Sequence, residues 1–158
     1  MAARTARRGS TLQLARFVPF RLNRLAGAVS QHLAVIYRGR YALEVPEWRV
    51  LATVAERAGC TAQYVAASTA MHKTRVSRAI AQLRRRGLIA RAAARGDRRA
   101  LRLSLTRAGR CLYGELVPLA LARERALLGC LSAPERRAFA RALTRLERLL
   151  RLGEPPPG

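Results

Sequence analysis

The chain has 158 residues, half of them hydrophobic but only 5% aromatic, and sets 31 Lys and Arg against 9 Asp and Glu for a formal net charge of +22. This length supports one domain with its own core, and this charge makes a polyanion the expected partner. No run is long and apolar enough to span a bilayer, so no membrane role is expected. The three cysteines, Cys60, Cys111 and Cys130, form no C-x-x-C and are odd in number, which suggests neither a disulfide framework nor a zinc site and fits a reducing cytoplasm. His32 and His72 stand far apart, there is no H-E-x-x-H motif or glycine-rich phosphate loop, and acids are too scarce for paired-carboxylate chemistry. Neither an enzyme nor a cofactor or metal is expected. Lys73 is the sole lysine; a GC-rich genome explains that arginine bias, but not the scarcity of acids.

In chain order, residues 1–11 are basic and acid-free and read as a flexible arm rather than an organelle transit peptide. Over residues 12–38 Leu14, Phe17, Val18, Leu22, Leu25, Val29, Leu33 and Ile36 recur at helical spacing. A linker at 39–45 leads to Pro46, suited to the first residue of a helix over 46–58. Thr61 caps a short helix at 62–68, and a further helix at 71–86 is closed by Gly87 in the C′ position. Two strands, 88–92 and 100–105, flank the turn Arg95-Gly96-Asp97-Arg98; Leu101, Leu103 and Leu105 face one side, Arg102 and Ser104 the other. Thr106 caps a long helix to about Gly129, bent at Pro118. Ser132-Ala133-Pro134-Glu135 is a capping box that opens a last helix to about Leu152, striped with Phe139, Leu143, Leu146, Leu149 and Leu150. Residues 153–158 read as disordered. The fold class is mainly α with a small β-hairpin: a first dimerisation helix and linker (12–45), a winged helix-turn-helix (46–105) and C-terminal dimerisation helices (106–152).

On a wheel at ~100° per residue the helix that begins near Lys73 divides cleanly. Val76, Ala79, Ile80 and Leu83 form a face to bury. Thr74, Ser77, Arg78, Ala81, Gln82 and Arg85 form the opposite face, flanked by Arg75. Short hydroxyl side chains at the N-terminal end let the backbone approach a major groove, where Arg and Gln read base edges. Arg84, Arg85 and Arg86 suit the helix C-terminus, where a solvated end is the alternative role. Arg95, Arg98 and Arg99 at the hairpin tip can enter a minor groove. Asp97, the sole aspartate, either orients Arg99 through a charge-assisted hydrogen bond or closes the turn. The expected DNA contacts are Lys73, Thr74, Arg75, Ser77, Arg78, Gln82, Arg85, Arg95, Asp97, Arg98 and Arg99.

The run Met71-His72-Lys73, Val76-Ser77-Arg78-Ala79, Leu83, Arg86-Gly87-Leu88, Asp97-Arg98-Arg99 and Leu105-Thr106-x-x-Gly109-Arg110 resembles the MarR family of bacterial transcription regulators. Pro46-Glu47-Trp48-Arg49-Val50-Leu51 is similar to that family's second helix. The resemblance spans about residues 12–152. It implies a homodimer whose terminal helices knit together and whose two winged modules read palindromic double-stranded DNA. Arg78 matches the family's helix arginine, and Asp97 with Arg99 match the acid and tip arginine of the wing. His72 stands where relatives often have Asp, which weakens the usual cap and brings a pH-sensitive group near DNA.

The apolar stripes of the first and last helices have no partner in a small winged module, and a twofold interface of roughly 2,000–5,000 Å² would bury them. The resemblance also implies a pocket for a small effector, often an aromatic acid. Its candidates are His32, Tyr37, Tyr41, Trp48 and Arg49, with Arg49 pairing a carboxylate and Trp48 and Tyr37 stacking on a ring. The reading is therefore a ligand-released repressor. Two alternatives compete: a non-specific nucleic-acid or nucleoid protein, for which the net charge alone suffices, and a cysteine-based redox regulator. For the latter, Cys60, in a loop beside Arg57, is the reasonable sensor thiol, whereas Cys111 and Cys130 are expected to pack inside helices.

Overall fold

The computed structural model describes residues 12–94 and 97–152, with side chains described at 12–93 and 101–152. The basic arm and tail expected at 1–11 and 153–158 lie outside the described residues. The order of elements is α1 (Val18–Gly39), α2 (Val45–Glu56), β1 (Cys60–Thr61), α3 (Ala62–Thr69), α4 (Lys73–Arg85), β2 (Ile89–Ala94), β3 (Asp97–Leu105), α5 (Arg107–Leu128) and α6 (Ala133–Leu149). The expected mainly helical layout with a hairpin is present, with one addition. β1 pairs antiparallel with β3 through Cys60–Leu103 and Thr61–Arg102, so the sheet has three strands in the order β1-β3-β2. Two residues are too few for the alternation that marks a strand in sequence.

The described residues divide into two compact units at His32 and Leu33. In the first, α1 starts at Val18, later than the expected residue 12. Pro19 has no N–H and a fixed φ, which suits the first turn of a helix. Ahead of it the Arg16 and Phe17 amides donate to the Gln13 carbonyl at 2.9 and 3.1 Å, closing a turn. Leu14, Phe17, Val18, Leu22 and Leu25 of this unit are exposed.

The second unit holds the main core. Leu43, Val50, Leu51, Val54, Val65, Val76, Leu83, Leu103 and Leu116 are fully buried, so α2, α3, α4, the sheet and α5 share one interior. Local chemistry sets the starts of these helices. The Glu47 carboxylate accepts the Glu44 N–H at 2.8 Å, which begins α2 at Val45, with Pro46 second. The Thr61 hydroxyl accepts the Tyr64 N–H at 3.1 Å and begins α3. α4 ends in a Schellman motif: Leu88 N–H donates to Leu83 O and Gly87 N–H to Arg84 O, both at 2.9 Å, with Gly87 at φ +66°.

β2 runs beside β3 from Ile89–Leu105 to Ala93–Leu101, and the register slips between Ala93 and Ala94. Thr106 ties the hairpin's base to α5. Its hydroxyl accepts the Gly109 N–H at 3.0 Å and donates to Gly87 O at 2.6 Å, while its amide donates to Leu88 O at 3.1 Å. Pro118 lies within α5. Ser132 N–H donates to the Glu135 carboxylate at 2.7 Å, making the capping box of α6, and no side chain of that helix is buried. The last helical residue is Leu149, short of the expected 152. Among the described residues no helix is long and apolar enough to cross a membrane.

Candidate nucleic-acid interface

α4 turns as the wheel requires. Val76, Ala79, Ile80 and Leu83 are buried, while Lys73, Thr74, Arg75, Ser77, Arg78, Gln82 and Arg85 are all exposed. The exposed face of α4 carries no acid. Burial of the opposite face against α2 and α3 fixes which side chains point outward, so this polar face is rigidly presented. The His72 ring caps the helix, its Nδ1 accepting the Thr74 N–H at 3.3 Å. The cap expected to be weakened is thus supplied by the imidazole itself, at a long distance. The Arg85 guanidinium donates to the Gln82 side-chain oxygen, so these two potential base readers hold one another.

The hairpin stands C-terminal to this helix. Asp97 lies opposite Ala94 in the ladder, and Arg98 and Arg99 follow it in β3. The side chains of Asp97, Arg98 and Arg99, and Arg95 as a whole, lie outside the described residues. The DNA contacts expected of them, and whether Asp97 orients Arg99 or closes the turn, therefore stand as expectations from the sequence. Arg102 donates to the Gly59 carbonyl at 2.8 Å and so braces β3 against the start of β1. Between α4 and β2 a cleft of about 490 Å³ is lined by Ala81, Arg84, Arg85, Ile89, Ala90 and Arg91. Arg84 and Arg91 were not among the expected contacts. Their charge is visible in the sequence, but their proximity depends on the chain reversing at Gly87.

The expected effector residues divide. Tyr37, Tyr41, Trp48 and Arg49 lie in the second unit, whereas His32 belongs to the first. Trp48 stacks on Tyr37 (5.7 Å between centroids, 19° between planes) and on Tyr113 of α5 (6.1 Å, 22°). Burial raises the Tyr37 hydroxyl above its ordinary pKa, with Arg38 and Arg49 opposing the shift. Tyr41 donates to the Glu115 carboxylate at 3.0 Å. Tyr113 and Glu115 were missed because only the docking of α5 brings them to residues so much earlier in the chain.

The cysteines correct two expectations. Cys60 lies in β1, only 5% exposed, and burial pushes its thiol up despite the nearby Arg57. It lacks the exposure and lowered pKa of a sensor. Cys111 and Cys130, expected inside, are both exposed, because they fall on the outer sides of α5 and of the turn after it. Among the described residues no three His, Cys, Asp or Glu gather as a metal site.

An acid-free polar face on a capped helix, followed by a glycine reversal and a basic hairpin, is the geometry of a winged helix-turn-helix. Residues 43–100, from the buried Leu43 through α4 into β3, match the family model described as MarR family. Over this segment the chain is similar to the MarR family. MarR proteins are DNA-binding transcription regulators, and the fold agrees over nearly the whole chain. A MarR family regulator from Silicibacter pomeroyi is 25% identical, with 90% of this chain and 95% of that one covered and a TM-score of 0.75. A MarR family protein of Mycobacterium tuberculosis in complex with salicylic acid shares the fold at 23% identity (82% and 96% covered, TM-score 0.68). So does CouR from Rhodococcus jostii bound to p-coumaroyl-CoA, at 22% identity (86% and 95% covered, TM-score 0.74). None of the curated proteins matches the sequence.

Proposed function

We propose that the protein is a homodimeric, sequence-specific repressor that reads a palindromic operator and is released by a small aromatic acid. The observation that carries this reading is the exposed face of α4, where Thr74, Ser77, Arg78 and Gln82 stand together at one rigid surface. Non-specific binding to polyanions needs only charge. A groove-sized face of short polar side chains with one central arginine is suited to base edges.

Dimerisation is supported by the apolar surface that the second unit leaves uncovered. Phe139, Leu146, Leu149 and Leu150 at α6, with Leu119 and Leu121 on α5, are 38–77% exposed. A monomer would present these to water, and a twofold interface removes them. The aromatic effector is supported by the Tyr37–Trp48–Tyr113 stack and by the ligands of two relatives, salicylic acid and p-coumaroyl-CoA. Arg49 is the cation proposed to meet the carboxylate. The wing contacts Arg95, Asp97, Arg98 and Arg99 complete the proposed footprint, and a cytoplasmic location follows from the role.

The test is binding to a palindromic promoter fragment and to random duplex of equal length, with salicylate added to the bound complex. The proposal expects tighter binding to the palindrome, a mass equal to two chains, and release by the acid. Equal affinity for both duplexes would favour the second reading, a non-specific nucleic-acid binder, which the net charge of +22 supports.

A further inference from the structure

Arg86, at the C-cap of α4, is exposed but is not an unattached helix-end charge. Its guanidinium reaches back to the turn between α1 and α2, with Nη2 donating to Tyr41 O at 2.6 Å and Nη1 to Ala42 O at 2.9 Å. The two carbonyls are consecutive, and the planar fork of arginine engages both at once. The turn it grips is strained. Ala42 sits at φ +47°, in the left-handed region glycine normally takes, and its amide closes α1 onto Arg38 O at 3.1 Å. The same turn is held from its other side by α5. The Tyr41 hydroxyl donates to the Glu115 carboxylate at 3.0 Å, and Arg40 lies 3.8 Å from that oxygen, with its guanidinium 5.4 Å above the Tyr41 ring.

We infer that Arg86 is a positioning residue: it fixes the reading helix α4 to the Tyr41–Ala42 turn, and through Tyr41 and Glu115 to α5, and it contributes to DNA binding through that linkage rather than by touching phosphate. This rests on the proposed reading of α4 as the DNA-contacting helix and adds a route by which that helix is held. The route passes beside the aromatic stack. Tyr37 and Tyr41 are four residues apart on the chain, and Tyr113 and Glu115, two residues apart on α5, meet Trp48 and Tyr41 respectively. Whatever displaces Tyr41 moves the carbonyls that Arg86 holds, at the end of α4 adjacent to Gln82 and Arg85.

The experiment compares Arg86→Ala, Arg86→Lys, Tyr41→Phe and the pair Arg86→Ala with Tyr41→Phe, in the full chain. Affinity is measured for a duplex recovered by the wild type from a randomised pool, and for random duplex. A lysine keeps the charge but cannot fork onto two carbonyls, so Arg86→Lys should lose affinity for the selected duplex about as much as Arg86→Ala, roughly ten-fold. Tyr41→Phe removes only the bond to Glu115. It should lower the same affinity by about three-fold, and adding it to Arg86→Ala should cost little more, as expected of two links in one chain of contacts. Full rescue by Arg86→Lys, with a shallower salt dependence in Arg86→Ala alone, would make Arg86 an ordinary phosphate contact and overturn the inference. Strict additivity of the two losses would do the same. If the wild type itself recovers no preferred duplex, it is the regulator reading that fails, a result distinct from either of these.

Discussion

Gly109 and the carbonyl of Leu88 are in backbone contact: a Cβ on Gly109 would stand 2.0 Å from Leu88 O. The Leu88 oxygen already accepts the Thr106 amide at 3.1 Å, and the Gly109 amide donates to the Thr106 hydroxyl at 3.0 Å. The absence of a side chain lets the first turn of α5 lie directly on the start of the wing. Gly109→Ala forces backbone against backbone, which no rotamer change can relieve. We expect it to cost about 3 kcal/mol or more, read as a fall in the denaturant midpoint at unchanged slope. A variant that unfolds at the wild-type midpoint would disprove the close approach.

Ala70 makes the opposite prediction. It holds φ +52° between α3 and α4, with its amide donating to Ala67 O at 3.3 Å. An L-residue in that region pays about 1–2 kcal/mol that glycine does not, while glycine loses roughly 0.4–1 kcal/mol more entropy on folding. Ala70→Gly should therefore raise stability by up to about 1 kcal/mol, seen as a higher Tm. A drop in Tm would mean that the turn is not left-handed at this residue.

The two turns also show where sequence reading stopped. Gly87 announced its own positive φ, and the structure uses it so. The breaks at 39–45 and between 68 and 71 were legible where helical patterns end, but Ala42 and Ala70 adopt the left-handed conformation there with no glycine to signal it. Periodicity was a better guide. The buried stripe of α4 came out residue for residue, because a helix packed on one side has a single solution for Val76, Ala79, Ile80 and Leu83. Contacts that join distant segments were not legible. Tyr113 and Glu115 meet Trp48 and Tyr41 only after α5 docks, and Arg86 looks like any other basic helix end until the chain has folded.

Thiol chemistry separates the three cysteines. The buried Cys60 has its pKa raised, chiefly by desolvation, so little thiolate forms and little reagent reaches it. Cys111 and Cys130 are exposed. An aromatic disulfide reagent should label those two in native buffer and reach Cys60 only on unfolding. Rapid native labelling of Cys60, followed by mass spectrometry of its peptide, would restore it as a sensor candidate.

Acid should loosen α6 from its N-terminal end. The hydroxyl and amide of Ser132 both donate to the Glu135 carboxylate at 2.7 Å and hold its pKa below the ordinary glutamate value. The folded form thus prefers the ionised acid. The contribution is fully present above the ordinary value and fades as the pH falls through the lowered one. Protection of the Ser132 and Arg136 amides, taken relative to their intrinsic exchange rates at each pH, should fall over that acidic window, and Ser132→Ala should remove most of this change. Protection that stays constant with pH in the wild type would show that the box does not hold in solution.

The face of α4 proposed to read DNA yields the last prediction, because on that proposal its residues divide by the kind of DNA atom they meet. Arg78 projects from the middle of exposed α4, beyond the buried pair Ala79 and Ile80. Removing a bidentate base contact costs about 1–3 kcal/mol and relaxes preference at one position. On the proposed reading Arg91, on the exposed edge of the cleft between α4 and β2, meets phosphate, where loss acts on every sequence alike. Arg78→Ala should thus weaken binding to the preferred duplex about ten-fold or more while leaving random duplex less affected. Arg91→Ala should weaken both equally and lower the salt slope by about one phosphate's worth, ~0.9. Gln82→Ala should alter preference only, after releasing Arg85 from its present partner. Measured against both duplexes over a salt series, identical behaviour of Arg78→Ala and Arg91→Ala would reduce the whole face to a positive patch.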